Sequence, residues 1–233
     1  MSILFLFILL LFPTAPTWAA ITCTGQSFPI DVPTDPQSQA YTVPSVTNGV
    51  TFFHAAVRNG SRTVTSATIA GNAGTQIGTG LSSTSHAAAL FYRLDVASGS
   101  QTIALNWDAA PLSYVLTAVT CSPVNQSNPI AVSNTATGTA GTTITVDCAG
   151  TTASQIVLDF AAADGNTTLT RGANQTEIDQ DVSDVILAAG SSSEPGGGTI
   201  TMSNTIVDDD WSTFCVALNP VSSRRPIAPW VMQ

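Results

Sequence analysis

Acidic side chains are the first residues in this chain whose types and spacing could do chemistry. Glu177, Asp179, Asp181 and Asp184 fall within one polar segment. Hard cations such as Ca²⁺ bind where several carboxylate and carbonyl oxygens converge, so this run is a candidate structural Ca²⁺ site. It departs from the EF-hand pattern, because the sixth position counted from Glu177 is Val182 instead of Gly and the twelfth is Ala188 instead of Glu. Without metal, the same residues make a solvated acidic loop. Asp208-Asp209-Asp210 form a second run, best suited to a turn that keeps a sheet edge soluble.

Catalytic patterns are not evident. Glycosidases set two carboxyl groups across a sugar, whereas Asp108, Asp147 and Asp159 occur singly. His54 and His86 are the only histidines, and no Gly-x-Ser-x-Gly elbow accompanies them. The chain has no Lys, which excludes Schiff-base chemistry and a P-loop lysine. A net charge of −9 is the wrong sign for phosphate backbones, so no nucleic-acid partner is expected. The chain is accordingly read as a non-enzyme, with no catalytic residue assigned.

Recognition is the better-supplied alternative. Flat rings stack on sugar faces and exclude water, which makes Trp107, Tyr114 and Trp211 candidate ligand-binding residues. Asp108 joins them because it follows Trp107 at the end of a strand, where a loop rim begins.

The elements that must position these residues are strands. Runs rich in Val, Ile, Thr and aromatics recur at intervals of roughly ten residues, each closed by Gly, Asn, Ser or Pro. Val50–Arg58, Thr63–Gly71, Ala88–Val96, Gln101–Trp107 and Ser113–Val124 are the clearest in the first half. Asn59-Gly60 is a hairpin signal between two of them. Thr142–Cys148, Ser154–Ala163, Val185–Gly190, Gly198–Val207 and Trp211–Pro220 follow. The stretch after Val124 reads as a Ser/Thr/Asn/Gly-rich connection, and Gly165–Asp184 as a long loop or weak hairpin. Sustained helical periodicity is missing outside the N-terminal leader. The expected fold is all-β: a two-sheet antiparallel β-sandwich of jelly-roll type with about ten or more strands.

Residues 1–19 read as a secretory signal. Ile3–Phe12 has the length of an apolar signal core and is too short to span a bilayer, and Thr17 and Ala19 offer small residues before a cleavage point. Residues 20–40 form an N-terminal extension, 41–221 the sandwich and 222–233 a tail. An even set of cysteines in an exported chain (Cys23, Cys121, Cys148 and Cys215) predicts two disulfides, with three connectivities open.

One order of signals resembles a known group. It runs Ser66-Ala67-Thr68-Ile69-Ala70-Gly71, then Ala89-Leu90-Phe91-Tyr92-Arg93-Leu94, then Gly99-Ser100-Gln101-Thr102-Ile103-Ala104-Leu105. Val124-Asn125-Gln126-Ser127-Asn128-Pro129 and Trp211 leading into Val216-Ala217-Leu218-Asn219-Pro220 complete it. This order resembles concanavalin-like or jelly-roll modules of secreted bacterial proteins and of phage virion (tail or surface) proteins. The resemblance implies architecture, with a lean towards surface recognition. The functional expectation is a secreted, non-catalytic attachment module binding a glycan or cell-surface component. Its alternative is a structural subunit that packs against copies of itself in a virion or extracellular assembly, and a polysaccharide hydrolase ranks third. No membrane span is expected after signal cleavage. In the tail, Trp230 follows Arg224-Arg225 and two prolines, and is a candidate anchor for docking.

Overall fold

A computed structural model describes residues 19–30, 37–58, 62–82, 85–109, 111, 113–165, 168–181 and 187–222. The leader up to residue 18, the Asn59-Gly60 turn, Asp184 and Trp230 lie outside the described residues. The strands are β1 (Thr22–Ile30), β2 (Gln37–Val43), β3 (Val50–Arg58), β4 (Val64–Ile69), β5 (Asn72–Ala73), β6 (Thr75–Ser82), β7 (His86–Leu94), β8 (Gly99–Trp107) and β9 (Ser113–Ser122). They continue as β10 (Ile130–Thr151), β11 (Ile156–Asp164), β12 (Thr170–Arg171), β13 (Thr176–Asp181), β14 (Leu187–Pro195) and β15 (Gly198–Leu218). No helix occurs among the described residues, and every strand pairing is antiparallel.

The first nine strands switch back and forth between two sheets. One sheet runs β1-β9-β3-β7-β6 and the other β2-β8-β4-β5. This is the strand order of a jelly roll, with β6 added at one edge. The strand β1 is integral to it, paired along its whole length with β9. The extension assigned to residues 20–40 therefore contains a sandwich strand.

A third sheet, β10-β15-β11-β14-β13 with β12 paired to β15, covers the far face of β1-β9-β3-β7-β6. The sandwich thus has three sheets where the strand rhythm suggested two. Strands β3 and β9 explain why. Each is buried at nearly every position, so both of its faces need a partner layer. Alternate residues of β3 serve the two sides. Phe53, Ala55 and Val57 meet Ile69, Ile103 and Leu105 of the outer jelly-roll sheet. Val50, Phe52 and Ala56 meet Leu158, Phe160 and Phe214 of the third sheet, with the Phe52 and Phe160 rings 5.4 Å apart. Each large side chain buried this way contributes roughly 1.5–3 kcal/mol.

The third sheet is itself folded over. Strands β10 and β15 run 22 and 21 residues, and their ribbon turns a corner where register shifts bracket Gly138 and Gly141. Trp211 fills the inside of that corner: a Cβ on Gly138 would stand 2.5 Å from its indole. The arm beyond the corner, 141–151 with 198–209, folds back over β11 and buries Val146, Cys148, Met202, Ile144 and Ile206 against Val157, Cys215, Ala217 and Ala161. The polar stretch after Val124, expected as a connection, carries the first half of β10. Its Thr residues are β-branched and suit a pleated strand despite being polar. Gly165–Asp184 likewise supplies the short strands β12 and β13.

The two disulfides are Cys23–Cys121 and Cys148–Cys215, and no described cysteine is free. The first joins directly opposed residues of β1 and β9. The second ties the folded-back arm to the sheet beneath it. Closing loops of 98 and 67 residues stabilises by about 4–5 kcal/mol each when treated as lost entropy of the unfolded chain. Cys148→Ser with Cys215→Ser should therefore lower the melting temperature by about 8–16 °C at this chain length. Scanning calorimetry measures it, and a drop below about 3 °C would mean that the arm holds its place without the covalent tie.

Candidate functional site

The proposed aromatic platform is not at the surface. Trp107 and Tyr114 are 5% and 0% exposed and pack against each other with ring centroids 5.4 Å apart, inside the core between the two jelly-roll sheets. Trp107 ends β8 on the face it shares with Ile103 and Leu105, so the pleat carries its ring inward. Burial raises the Tyr114 hydroxyl's pKa well above its ordinary value. Trp211 is the corner wedge already described. Trp107 and Tyr114 are thus packing residues in this fold, whereas Trp211 is only partly buried at the corner.

Asp108 is exposed but occupied. Its carboxylate accepts from the Thr63 N–H at 3.0 Å, the Thr63 hydroxyl at 3.1 Å and the Ala109 N–H at 2.9 Å. The Thr63 N–H bond is the largest of the causes that hold its pKa below the ordinary carboxylate value. Asp108 thus clamps the start of β4 to the end of β8.

The described part of the acidic segment is a strand, and Asp184 lies outside the described residues. Glu177, Asp179 and Asp181 lie on β13, with a register shift between Glu177 and Asp179 against β14. Glu177 turns to the Arg171 guanidinium at 3.6 Å. Among the described residues no group of three His, Cys, Asp or Glu gathers to hold a metal ion. Asp210 of the second acidic run accepts from the Ser85 hydroxyl at 2.8 Å and from the Ala140 N–H at 3.2 Å, pinning the ribbon corner to the start of β7. Burial raises the neighbouring Asp209, helped by the nearby carboxylates of Asp164, Asp210 and Asp208.

Both histidines are fully buried. His54 lies between the sheets, with the Phe214 and Phe160 rings 5.6 and 6.0 Å away, and neither ring nitrogen has a hydrogen-bond partner. Burial pushes its pKa down to about 3, and the His86 charge adds to the shift. The Nε2 of His86 lies 2.6 Å from the Ser212 hydroxyl, and burial takes its pKa down to about 4 against the opposing pull of Asp210. A Ser–His pair at this distance is the geometry of an activated nucleophile. Ser212 is 0% exposed, however, so no substrate carbonyl reaches it in this conformation.

The densest polar constellation was not singled out from the sequence. Asp159, on the arm side of β11, accepts from the Ser192 N–H at 2.8 Å and the Ser192 hydroxyl, and from the Asn204 amide at 2.7 Å. Arg171 stands 3.9 Å from Asp159, donates to the Asn204 side-chain oxygen at 2.8 Å, and donates to the carbonyls of Asp179 and Ser191. Its side chain is 8% exposed and that of Asp159 0%, so the cluster positions strands and reaches no ligand. A lone acid inside the apolar run Ile156–Ala163 was the available signal, since an ionised group enters such a run only when it is paired.

Two of the accessible surfaces among the described residues bear on recognition. The outer face of β2-β8-β4 presents Ser38, Thr42, Ser66, Thr68, Ser100, Thr102 and Asn106 across three paired strands, with no charged residue among them. On the other side, a groove of about 590 Å³ runs between the edge strand β1 and the edge formed by β13 and β14. Compared with protein-family models, curated proteins and solved structures, this chain finds no match.

Proposed function

We propose that this chain is an exported, non-catalytic recognition module that attaches to a glycan or cell-surface component. The observation that supports it best is the outer face of β2-β8-β4, a flat array of hydroxyls and one amide on a rigid sheet. Such groups exchange hydrogen bonds with sugar hydroxyls at little desolvation cost, because neither side carries a charge that must be stripped of water. The two disulfides are compatible with an extracellular setting. Calcium has no assigned role in this reading.

The test is a glycan array and a pull-down on cell-wall polysaccharide, with Thr102→Arg as the variant. Thr102 lies in the middle strand of the face and points away from the core, so the substitution leaves packing intact. It should weaken binding about tenfold or more by placing a bulky cation in the array. Binding that survives Thr102→Arg, or no retention on any glycan, would overturn the assignment.

A structural subunit is the second reading, favoured by the jelly-roll strand order, an architecture that capsid proteins and lectins share. Size-exclusion chromatography separates the two, since a subunit elutes as an assembly without any glycan present.

A further inference from the structure

The groove between β1 and the β13–β14 edge has an apolar floor and an acidic rim. Ile21, Ile156 and Ile178 line the floor beside the Cys23 disulfide, while the rim carries the Glu194 carboxylate and that of Glu177, which is half-exposed and also faces Arg171 at 3.6 Å. Both flanking strands are sheet edges, a position where a chain normally meets further covering. Burial raises the Glu194 carboxyl above its ordinary value, so a cation beside it would relieve a real cost.

The chain leaves the sandwich close by. Leu218 is opposite Ile156, which is in turn opposite Pro195 of the groove, a separation of two strand spacings or about 10 Å. Pro220 then bridges to Val124, near the Thr22–Ser122 pair at the groove's other wall. Residues 223–233 follow, and an extended, proline-bearing peptide of that length reaches about 34 Å at ~3.1 Å per residue. Its sequence has the complement of the groove: Arg224-Arg225 first, then Ile227, Trp230 and Val231.

We propose that residues 223–233 of the same chain occupy this groove, with Arg224 and Arg225 against Glu177 and Glu194 and with Trp230 on the floor made by Ile21, Ile156 and Ile178. The short tether favours the chain's own tail over a second copy, since covalent attachment gives an effective concentration in the millimolar range. The tail then covers the two exposed sheet edges together.

The experiment uses the full chain with Trp230→p-benzoylphenylalanine, irradiated and mapped by mass spectrometry. Adducts should fall within one chain, on residues 21–25, 176–178 or 193–195. Glu194→Arg in the same background should cut the adduct yield roughly threefold, the scale of an exposed ion pair, and Arg224→Glu with Arg225→Glu should restore it. Adducts mapping elsewhere, adducts joining two chains, or no adduct above that of denatured protein would each overturn the proposal. So would a yield indifferent to both charge reversals.

Discussion

Lowering the pH from 7 to 4 should cost the folded chain about 3 kcal/mol at each of its two histidines. The sign follows from burial. His54 and His86 titrate at about 3 and about 4 in the folded protein against 6.5 for the free side chain. As pH falls below the unfolded value, the unfolded chain takes up protons that the folded core refuses, so stability present above pH ~7 is lost progressively down to the folded values. The groups that face His86 do not reverse this. Asp210 pulls its pKa up less than burial pushes it down, and Arg58, across the strand pair, is held by Asp164 at 3.6 Å. His54 faces the Phe160 and Phe214 rings and the positive charge that His86 would carry.

The control is His54→Leu, which removes a ring with two unpartnered nitrogens from an apolar contact surface. Orphaned polar atoms of this kind cost about 1–3 kcal/mol, so the variant should equal or exceed the parent at pH 7. At pH 4 it should be more stable by about 3 kcal/mol in addition, because the proton-uptake penalty goes with the ring. Urea midpoints at the two pH values measure both quantities. A parent whose midpoint does not move between pH 7 and 4 would show that the His54 ring reaches solvent.

Strand content and disulfide bonding could be read from the sequence because each leaves a short-range trace. The alternation in Gln101–Trp107 and the apolar run in Ser113–Ser122 came through as strands β8 and β9 with nearly the expected bounds. Cysteine parity predicted bridges that the fold then paired. The third sheet did not emerge in the same way, although it leaves a trace: Tyr114–Cys121 is buried at every position, the pattern of a strand covered on both faces. The long arms of β10 and β15 were split or missed because Thr, Ser and Gly dominate them, and their pairing is a long-range event that composition does not record. Trp107 and Tyr114 are buried for a related reason. Trp107 at a strand end could face either way, and the register against β4 and β2, not the residue type, turns it inward.

Asp159 is where that missing long-range information matters most, and its removal is the second large effect. Asp159→Ala should destabilise the fold by about 3–5 kcal/mol, the usual consequence of deleting one partner from a buried ionic network. The cost is not a lost attraction alone. The Ser192 N–H and hydroxyl and the Asn204 amide all donate to the Asp159 carboxylate and would lose their acceptor, and the Arg171 guanidinium 3.9 Å away would lose its buried counter-charge. Arg171 would keep Glu177 at 3.6 Å and two backbone carbonyls, so the strand β12 should loosen first and the folded-back arm with it. Asp159→Asn tests the charge separately from the shape. It retains one acceptor for Ser192 or Asn204 but cannot offset the guanidinium, and should cost about half as much. Hydrogen exchange should then show faster opening at Thr170–Arg171 and at Met202–Thr205, while β3 and β9 keep their protection. The cluster also divides the surface beneath the arm into two apolar patches, one around Cys148, Val157 and Met202 and one around Ile144, Ala161 and Leu169. Apolar patches alone tolerate sliding, whereas a carboxylate with three directed donors and a guanidinium 3.9 Å away accepts one register only. An Asp159→Ala variant that loses under about 1 kcal/mol, with the arm's exchange unchanged, would mean that water reaches the site and that the disulfide at Cys148 sets the register unaided.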